Sequence, residues 1–335
     1  MKKIIALLLV AIMALSLVAC QNPAGDGEVT YAIVCKDASN PYMLRMISGF
    51  EAACEAIGVK HTTKSPESAT VDGQIQIVNE LVAQGVKGIA IAANDAAALE
   101  ATIKAATDAG IAVVTLDSDT KGSQLFVNQA GVTEVAQVLV DSVADMCGED
   151  GGEFAILSAS STATNQNAWI AAMEEILKDA KYANLKLVAT VYGDDEAQKS
   201  TDEMQNLMTN YPNLEVVCCP TTVGILAAAK VVANDPNCTI KVAGLGLPSE
   251  MKDYVGDDKP CPYMYLWNPI DVGNCAAYMI KALLDGKVGE VGTSFTADNG
   301  STYEIAAGDP AAKQIIVGPP FKFDGANIAE WAGVY

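Results

Sequence analysis

Residues 88–120 read GIAIAANDAAALEATIKAATDAGIAVVTLDSDT. An apolar run at 88–92 is followed by an amphipathic stretch with helical spacing at 96–109. A β-branched run at 111–116 then stops on Asp117-Ser118-Asp119-Thr120. Strand, helix and strand in that order predict a parallel pair with a helical crossover, because parallel neighbours need a connection that returns over the sheet.

The same scheme extends in both directions. A strand is predicted at 30–35 and a helix at 42–57, and Ile75, Val78, Leu81 and Val82 mark one face of a further helix. In the second half, strands at 154–158, 185–191, 214–218, 240–244 and 263–267 alternate with helices starting near Gln166, Glu196, Val223 and Pro269. Alternation of this kind implies parallel sheets covered on both faces. Roughly ten strands suit an α/β protein of two doubly wound lobes with a ligand cleft between them; a closed eight-stranded barrel is the alternative. No low-complexity linker and no internal repeat separates the halves. The expected lobes are 29–128 plus about 269–292, and 129–268 plus about 293–335.

Composition narrows the function classes. Half of the 335 residues are hydrophobic and 19% are charged, enough apolar material for a large core. Twenty-one Lys and Arg stand against 41 Asp and Glu, a net charge of -20, which argues against phosphate-backbone binding and hence against a nucleic-acid partner. A single histidine, His61, leaves little for imidazole catalysis or a His-based metal site. Gly244-Leu245-Gly246-Leu247-Pro248-Ser249 lacks the third glycine of a dinucleotide loop. Neither a phosphate-binding loop, a nucleophile elbow nor a calcium loop is found, so no cofactor, metal or catalytic residue is expected.

The N-terminus reads as an export signal. Lys2 and Lys3 precede an apolar run at 4–15, and 4–19 is shorter than the roughly 20 residues that span a bilayer. Leu17-Val18-Ala19-Cys20 resembles the lipobox of bacterial lipoproteins, which implies removal of 1–19 and lipidation of Cys20. Residues 20–28 would form a polar tether, placing the body outside the cytoplasm on a membrane anchor. Of the eight further cysteines, Cys35, Cys218 and Cys219 lie in strand-like runs. Mostly free, buried thiols are expected, since a core of this size needs no staples.

Doubly wound sheets bind ligands at the carboxyl ends of their strands. Asp117 ends one strand, and its carboxylate can accept two hydroxyl hydrogen bonds, as a polyol offers. Lys36 ends the first strand and can balance that charge. Asn165 and Gln166 each combine donor and acceptor, Pro220 shapes a wall, and Thr222 offers a hydroxyl. Tyr42 and Trp267 can present aromatic faces to a sugar's CH groups. With Lys36 and Asp117 compensating and Asn165 neutral, a neutral ligand is expected. Asp117 and Asp119 could instead be posed as a hydrolytic carboxylate pair, although both sit on one short segment.

Together, Leu116-Asp117-Ser118-Asp119-Thr120, Thr162-Ala163-Thr164-Asn165-Gln166-Asn167-Ala168-Trp169 and the segment 317–328 resemble the type I periplasmic sugar-binding proteins of ABC importers, in the autoinducer-2 and rhamnose-binding branch. The resemblance runs over nearly all of 29–335. It implies capture of a small sugar between closing lobes, docking onto permease subunits, and no enzymatic activity. Lys36, Asp117, Gln166 and Pro220 match ligand-contacting positions of the autoinducer-2 proteins, whereas Asn165 stands where that pattern has aspartate and Thr222 where it has alanine. Rival readings are a lipoprotein that senses a ligand and signals through a membrane receptor, and a secreted carbohydrate-active enzyme. A cytoplasmic sugar-responsive repressor would need a helix-turn-helix in place of the signal.

Overall fold

A computed structural model describes residues 30–335. The signal, Cys20 and the tether 20–28 lie outside the described residues. The chain begins β1 (Thr30–Val34), α1 (Pro41–Ala56), β2 (Lys60–Lys64), α2 (Val71–Gln84), β3 (Gly88–Ile91), α3 (Ala96–Asp108), β4 (Ala112–Leu116) and β5 (Leu125–Asn128). It continues through α4 (Val132–Cys147), β6 (Gly152–Ser158), α5 (Thr164–Ile176), β7 (Leu185–Tyr192), α6 (Ala197–Asn210), β8 (Leu214–Cys219), α7 (Thr222–Asn234) and β9 (Lys241–Gly244). The last part holds α8 (Pro248–Met251), β10 (Tyr263–Leu266), α9 (Pro269–Leu284), β11 (Ser294–Thr296), β12 (Thr302–Glu304), β13 (Ala306–Ala307), β14 (Lys313–Ile316), β15 (Phe321–Asp324) and α10 (Ile328–Trp331).

Two main sheets result, of seven strands in the order β13-β14-β5-β4-β3-β1-β2 and of four in the order β7-β6-β8-β9, besides the two-stranded pairs β10-β15 and β11-β12. Within these two main sheets all pairings are parallel except β13 with β14. In the first sheet, Ala32, Val34, Ile89, Ile91 and Val113 pack with Val78, Leu81, Leu99 and Ile103 of α2 and α3. The alternate residues Tyr31, Ile33, Ala90 and Val114 join Met46, Phe50, Val272 and Ala276 of α1 and α9 on the opposite face. Burial on both faces is why these strands read as continuous apolar runs.

The helices that lead from the cleft start on strong caps. Asn40 and Asn268 accept from the N–H of Tyr42 and Ile270 at 2.9 and 3.0 Å, and Pro41 and Pro269 follow them in the first turn. Helices α1 and α9 meet backbone to backbone. A Cβ on Gly49 would collide with the Ile270 carbonyl, and one on Gly273 with the Met46 carbonyl. Glycine therefore sets the spacing of this pair.

The segment 293–316 departs from the expected second lobe. Its strand β14 pairs in parallel with β5, matching Ile315 to Val127, and Asn128 Nδ2 donates to Gln314 Oε1 at 2.9 Å. A four-residue run carries no record of its partner; the fully buried Ile315 finds its apolar cover beside Val127. Only β15 and α10 return to the second lobe, where β15 pairs antiparallel with β10 and a Leu245–Tyr265 bridge extends the second sheet. The chain thus crosses between lobes near 129–131, 267–268 and 317–320. Seven strands escaped the sequence reading: β2, a half-exposed edge with the polar sequence KHTTK, the short β5, and the run of two- to four-residue strands β11 to β15.

Candidate ligand-binding cleft

The carboxyl ends of both sheets converge on one cavity of about 30 Å³. Lys36 follows β1, Asp117 follows β4, Tyr42 lies in the first turn of α1, and Asn165 and Gln166 lie in the first turn of α5. Pro220 and Thr222 connect β8 to α7, and Trp267 connects β10 to α9. All eight side chains singled out from the sequence line this cavity.

Lys36 Nζ lies 3.0 Å from Asp117 Oδ2, with side chains only 6% and 4% exposed. A buried ion pair is tolerated when further hydrogen bonds satisfy its remaining lone pairs and protons. Here Asn165 Nδ2 donates to Asp117 Oδ2 at 3.2 Å, Lys36 Nζ donates to Asn165 Oδ1 at 3.4 Å, and Ser118 Oγ donates to Asn165 Oδ1 at 3.0 Å. Tyr42 Oη donates to Asp117 Oδ1 at 3.1 Å and itself accepts from Trp267 Nε1 at 2.6 Å. Burial first, and then the charge of Asp117, push the Tyr42 phenol well above its ordinary value, so it stays a neutral donor. Trp267 also packs on Trp169, ring centroids 5.6 Å apart.

Asp117 adopts a left-handed φ of 61°. That twist sends the two carboxylates of the Asp-Ser-Asp segment to different places. Asp119 turns away from the cavity and accepts from Thr115 Oγ1, Ser123 Oγ and the Ala311 N–H, at 2.5, 3.2 and 2.7 Å. It ties the segment before β14 to the first lobe, so Asp117 and Asp119 do not flank a common space. Burial raises its carboxyl above the ordinary value against the pull of those hydrogen bonds.

Seven further lining residues escaped the sequence reading: the apolar Met43, Leu245 and Leu266, and Asn40, Trp169, Asp195 and Thr221. Asn40 and Thr221 look like ordinary helix starts in sequence, and Trp169 like a core residue; Asp195 follows β7 in a polar run that carries no distinguishing pattern. Gln166 Oε1 is buried with no hydrogen-bond partner, an arrangement that leaves a strong acceptor available inside the cavity. Among the described residues no cluster of three or more His, Cys, Asp or Glu side chains is placed to hold a metal ion. The eight described cysteines are free, six of them buried.

Known proteins share this fold. The family model described as a periplasmic binding protein domain matches residues 31–288. The D-allose-binding periplasmic protein of Escherichia coli (strain K12) is 28% identical over 272 residues, 77% of this chain and 86% of that protein. An ABC transporter solute-binding protein from Clostridium phytofermentas, solved with bound L-rhamnose, is 48% identical, with a TM-score of 0.88 over 92% of this chain and 99% of its own. LsrB from Clostridium saccharobutylicum, in complex with AI-2, shares the fold at 22% identity and a TM-score of 0.83, over 90% of this chain and 99% of its own. The resemblance drawn from the sequence motifs is thereby borne out, as are the two doubly wound lobes.

Proposed function

The chain belongs to the periplasmic binding protein domain family, and from that premise we propose that it is an extracytoplasmic solute-binding lipoprotein of an ABC importer, capturing a small neutral sugar by lobe closure. The ligand is rhamnose-like or autoinducer-2-like. The observation that carries this reading is the cross-cleft cluster of Lys36, Asp117 and Asn165, which joins the carboxyl ends of the two sheets through polar groups matched to hydroxyls.

A cavity of about 30 Å³ holds a water or two, whereas ligand pockets start at roughly 300 Å³. A sugar therefore enters with the lobes apart, and its hydroxyls take over the hydrogen bonds that Asn165 and Ser118 make directly in the closed form. Asp117 accepts from two hydroxyls, Lys36 donates to an oxygen, and Trp267 with Trp169 covers the apolar face. Since Lys36 offsets Asp117 and the chain carries -20 overall, neutral sugars are favoured over sugar phosphates. Cys20 would anchor the protein through its lipid, facing a permease that takes up the released sugar.

Native mass spectrometry of the purified protein, followed by calorimetry with L-rhamnose, D-allose and D-ribose, tests the ligand class. Retained or added neutral sugar is expected; heat only with anionic or non-carbohydrate compounds rejects the reading. The anchor is tested separately by fractionation, where Cys20→Ala should move the protein from the membrane to the soluble fraction.

A further inference from the structure

The turn after β7 contributes an unforeseen carboxylate to the cavity. Gly193 and Asp194 donate their N–H groups to the carbonyls of Ser158 and Ala159, each at 2.9 Å, pinning the turn to the end of β6. Asp194 and Asp195 then adopt left-handed φ values of 53° and 54°, a conformation disfavoured for residues bearing a Cβ and tolerated where surrounding contacts enforce it. The Thr221 hydroxyl donates to Asp195 Oδ1, and no other hydrogen bond to this carboxylate is found among the described residues. Asp195 lines the inner cavity and, together with Lys36 and Asn40, also lines an outer cleft of about 810 Å³. It stands where the inner cavity and the outer cleft adjoin.

The charges that face it come from three elements: Lys36 and Asp37 beyond β1, Asp117 beyond β4, and Asp194 and Glu196 on its own turn. Burial raises the Asp195 carboxyl above its ordinary value; Lys36 opposes this, and Asp117 and Asp37 reinforce it. One cation and two carboxylates therefore line the inner cavity, together with the unpaired Gln166 Oε1. The site holds an excess of acceptors.

From this placement we propose that Asp195 is a specificity-determining residue of the sugar site, accepting a hydrogen bond from a ligand hydroxyl at the cavity mouth while Gln166 Oε1 accepts another. The site then selects donor-rich neutral or cationic polyols and rejects those bearing phosphate or carboxylate. This proposal rests on the sugar-binding reading above.

Calorimetry on wild type, Asp195→Asn, Asp195→Ala and the neighbouring Asp194→Asn tests it with L-rhamnose and L-rhamnose 1-phosphate, D-allose or D-ribose replacing rhamnose if wild type gives no heat with it. Asp195→Ala should bind the sugar roughly 10- to 100-fold more weakly, the loss of one charge-assisted bond. Asp195→Asn should be weakened less, because its amide oxygen still accepts, and should discriminate less against the phosphate. Asp194→Asn should match wild type, and all variants should melt within a few degrees of it. On acidification, wild-type affinity should fall first where Asp195 takes up its proton, and Asp195→Asn should stay flat there. Wild-type affinity in Asp195→Ala, or an equal loss in Asp194→Asn, overturns the role of Asp195 alone. No heat with any of the three sugars in wild type overturns the sugar reading and this proposal with it.

Discussion

Asn165 Nδ2 lies 3.2 Å from Asp117 Oδ2, so the first turn of α5 in one lobe hydrogen-bonds directly to the end of β4 in the other. Because Asn165 is an amide, it donates to the carboxylate while its own oxygen accepts from Lys36 and Ser118. Replacing it by aspartate, the residue of the autoinducer-2 pattern, turns this donor into a second carboxylate. Two carboxylates so close push one pKa up, and Lys36 offsets only one charge. Asn165→Asp should therefore be more open than wild type at neutral pH and close as the pH falls. Small-angle scattering at pH 7.5 and pH 5 checks this; an unchanged radius of gyration at both would refute it.

Asp117 combines charge with an unusual backbone. Removing the carboxylate leaves Lys36 buried without its counter-ion, which costs about 3–5 kcal/mol. Asparagine tolerates a left-handed φ, whereas alanine adds about 1 kcal/mol of strain. Denaturation should rank wild type above Asp117→Asn, and Asp117→Asn above Asp117→Ala. Sugar affinity should fall by one to two decades per charge-assisted bond lost, and the sugar concentration that compacts wild type should leave Asp117→Ala open.

The glycine contacts between α1 and α9 make a packing prediction. Gly273→Ala would drive its methyl into the Met46 carbonyl, and backbone cannot yield as a flexible side chain does. A loss of roughly 3 kcal/mol is expected, read as a lower midpoint in urea. Stability equal to wild type would mean that the helices can separate at no cost.

The thiols should be largely inert in the native protein. Burial lifts Cys218 to about 12, lifts Cys219 well above its ordinary value and pushes Cys35 and Cys261 upward too. Reactivity follows the exposed thiolate. A water-soluble disulfide reagent should reach at most the half-buried Cys147 and Cys238 before unfolding, Cys147 slowly because burial raises it to about 11. After denaturation all eight thiols of the domain should react; fast native labelling of more than two would contradict the buried assignment.

Acid stability has one identifiable contributor in α4. Burial works to raise the Asp141 carboxyl, but hydrogen bonds from Tyr182 at 2.7 Å, Lys181 at 2.9 Å and Gln137 at 3.0 Å outweigh it and hold the group below its ordinary value. A depressed carboxyl contributes stability above its unfolded value and loses it as the pH falls through the folded one. Asp141→Asn should thus lower the melting temperature modestly at pH 7, with the difference shrinking as the pH falls below the ordinary carboxylate range. A difference that grows on acidification would reverse this assignment.

Local sequence determined the alternation of strand and helix, because doubly covered strands such as 30–34, 88–91 and 112–116 must be apolar on both faces. It also placed Lys36, Asp117, Asn165 and Trp267 correctly at strand ends and helix starts, since chain reversals there show as a change from apolar to polar residues. Three things were decided only by the tertiary structure. Strand β14 joined the first sheet because pairing is chosen by long-range contact, and a four-residue run such as Lys313–Ile316 is compatible with any free edge. Asp117 and Asp119 were divided between cavity and scaffold by the left-handed turn at Asp117, a backbone angle that composition does not announce. Asp195 entered the cavity because β7 pairs beside β6, which brings its end within hydrogen-bond reach of Thr221 beyond β8. Local propensity encodes the elements and their order, whereas the direction of a side chain at a strand end depends on which distant strand becomes its neighbour.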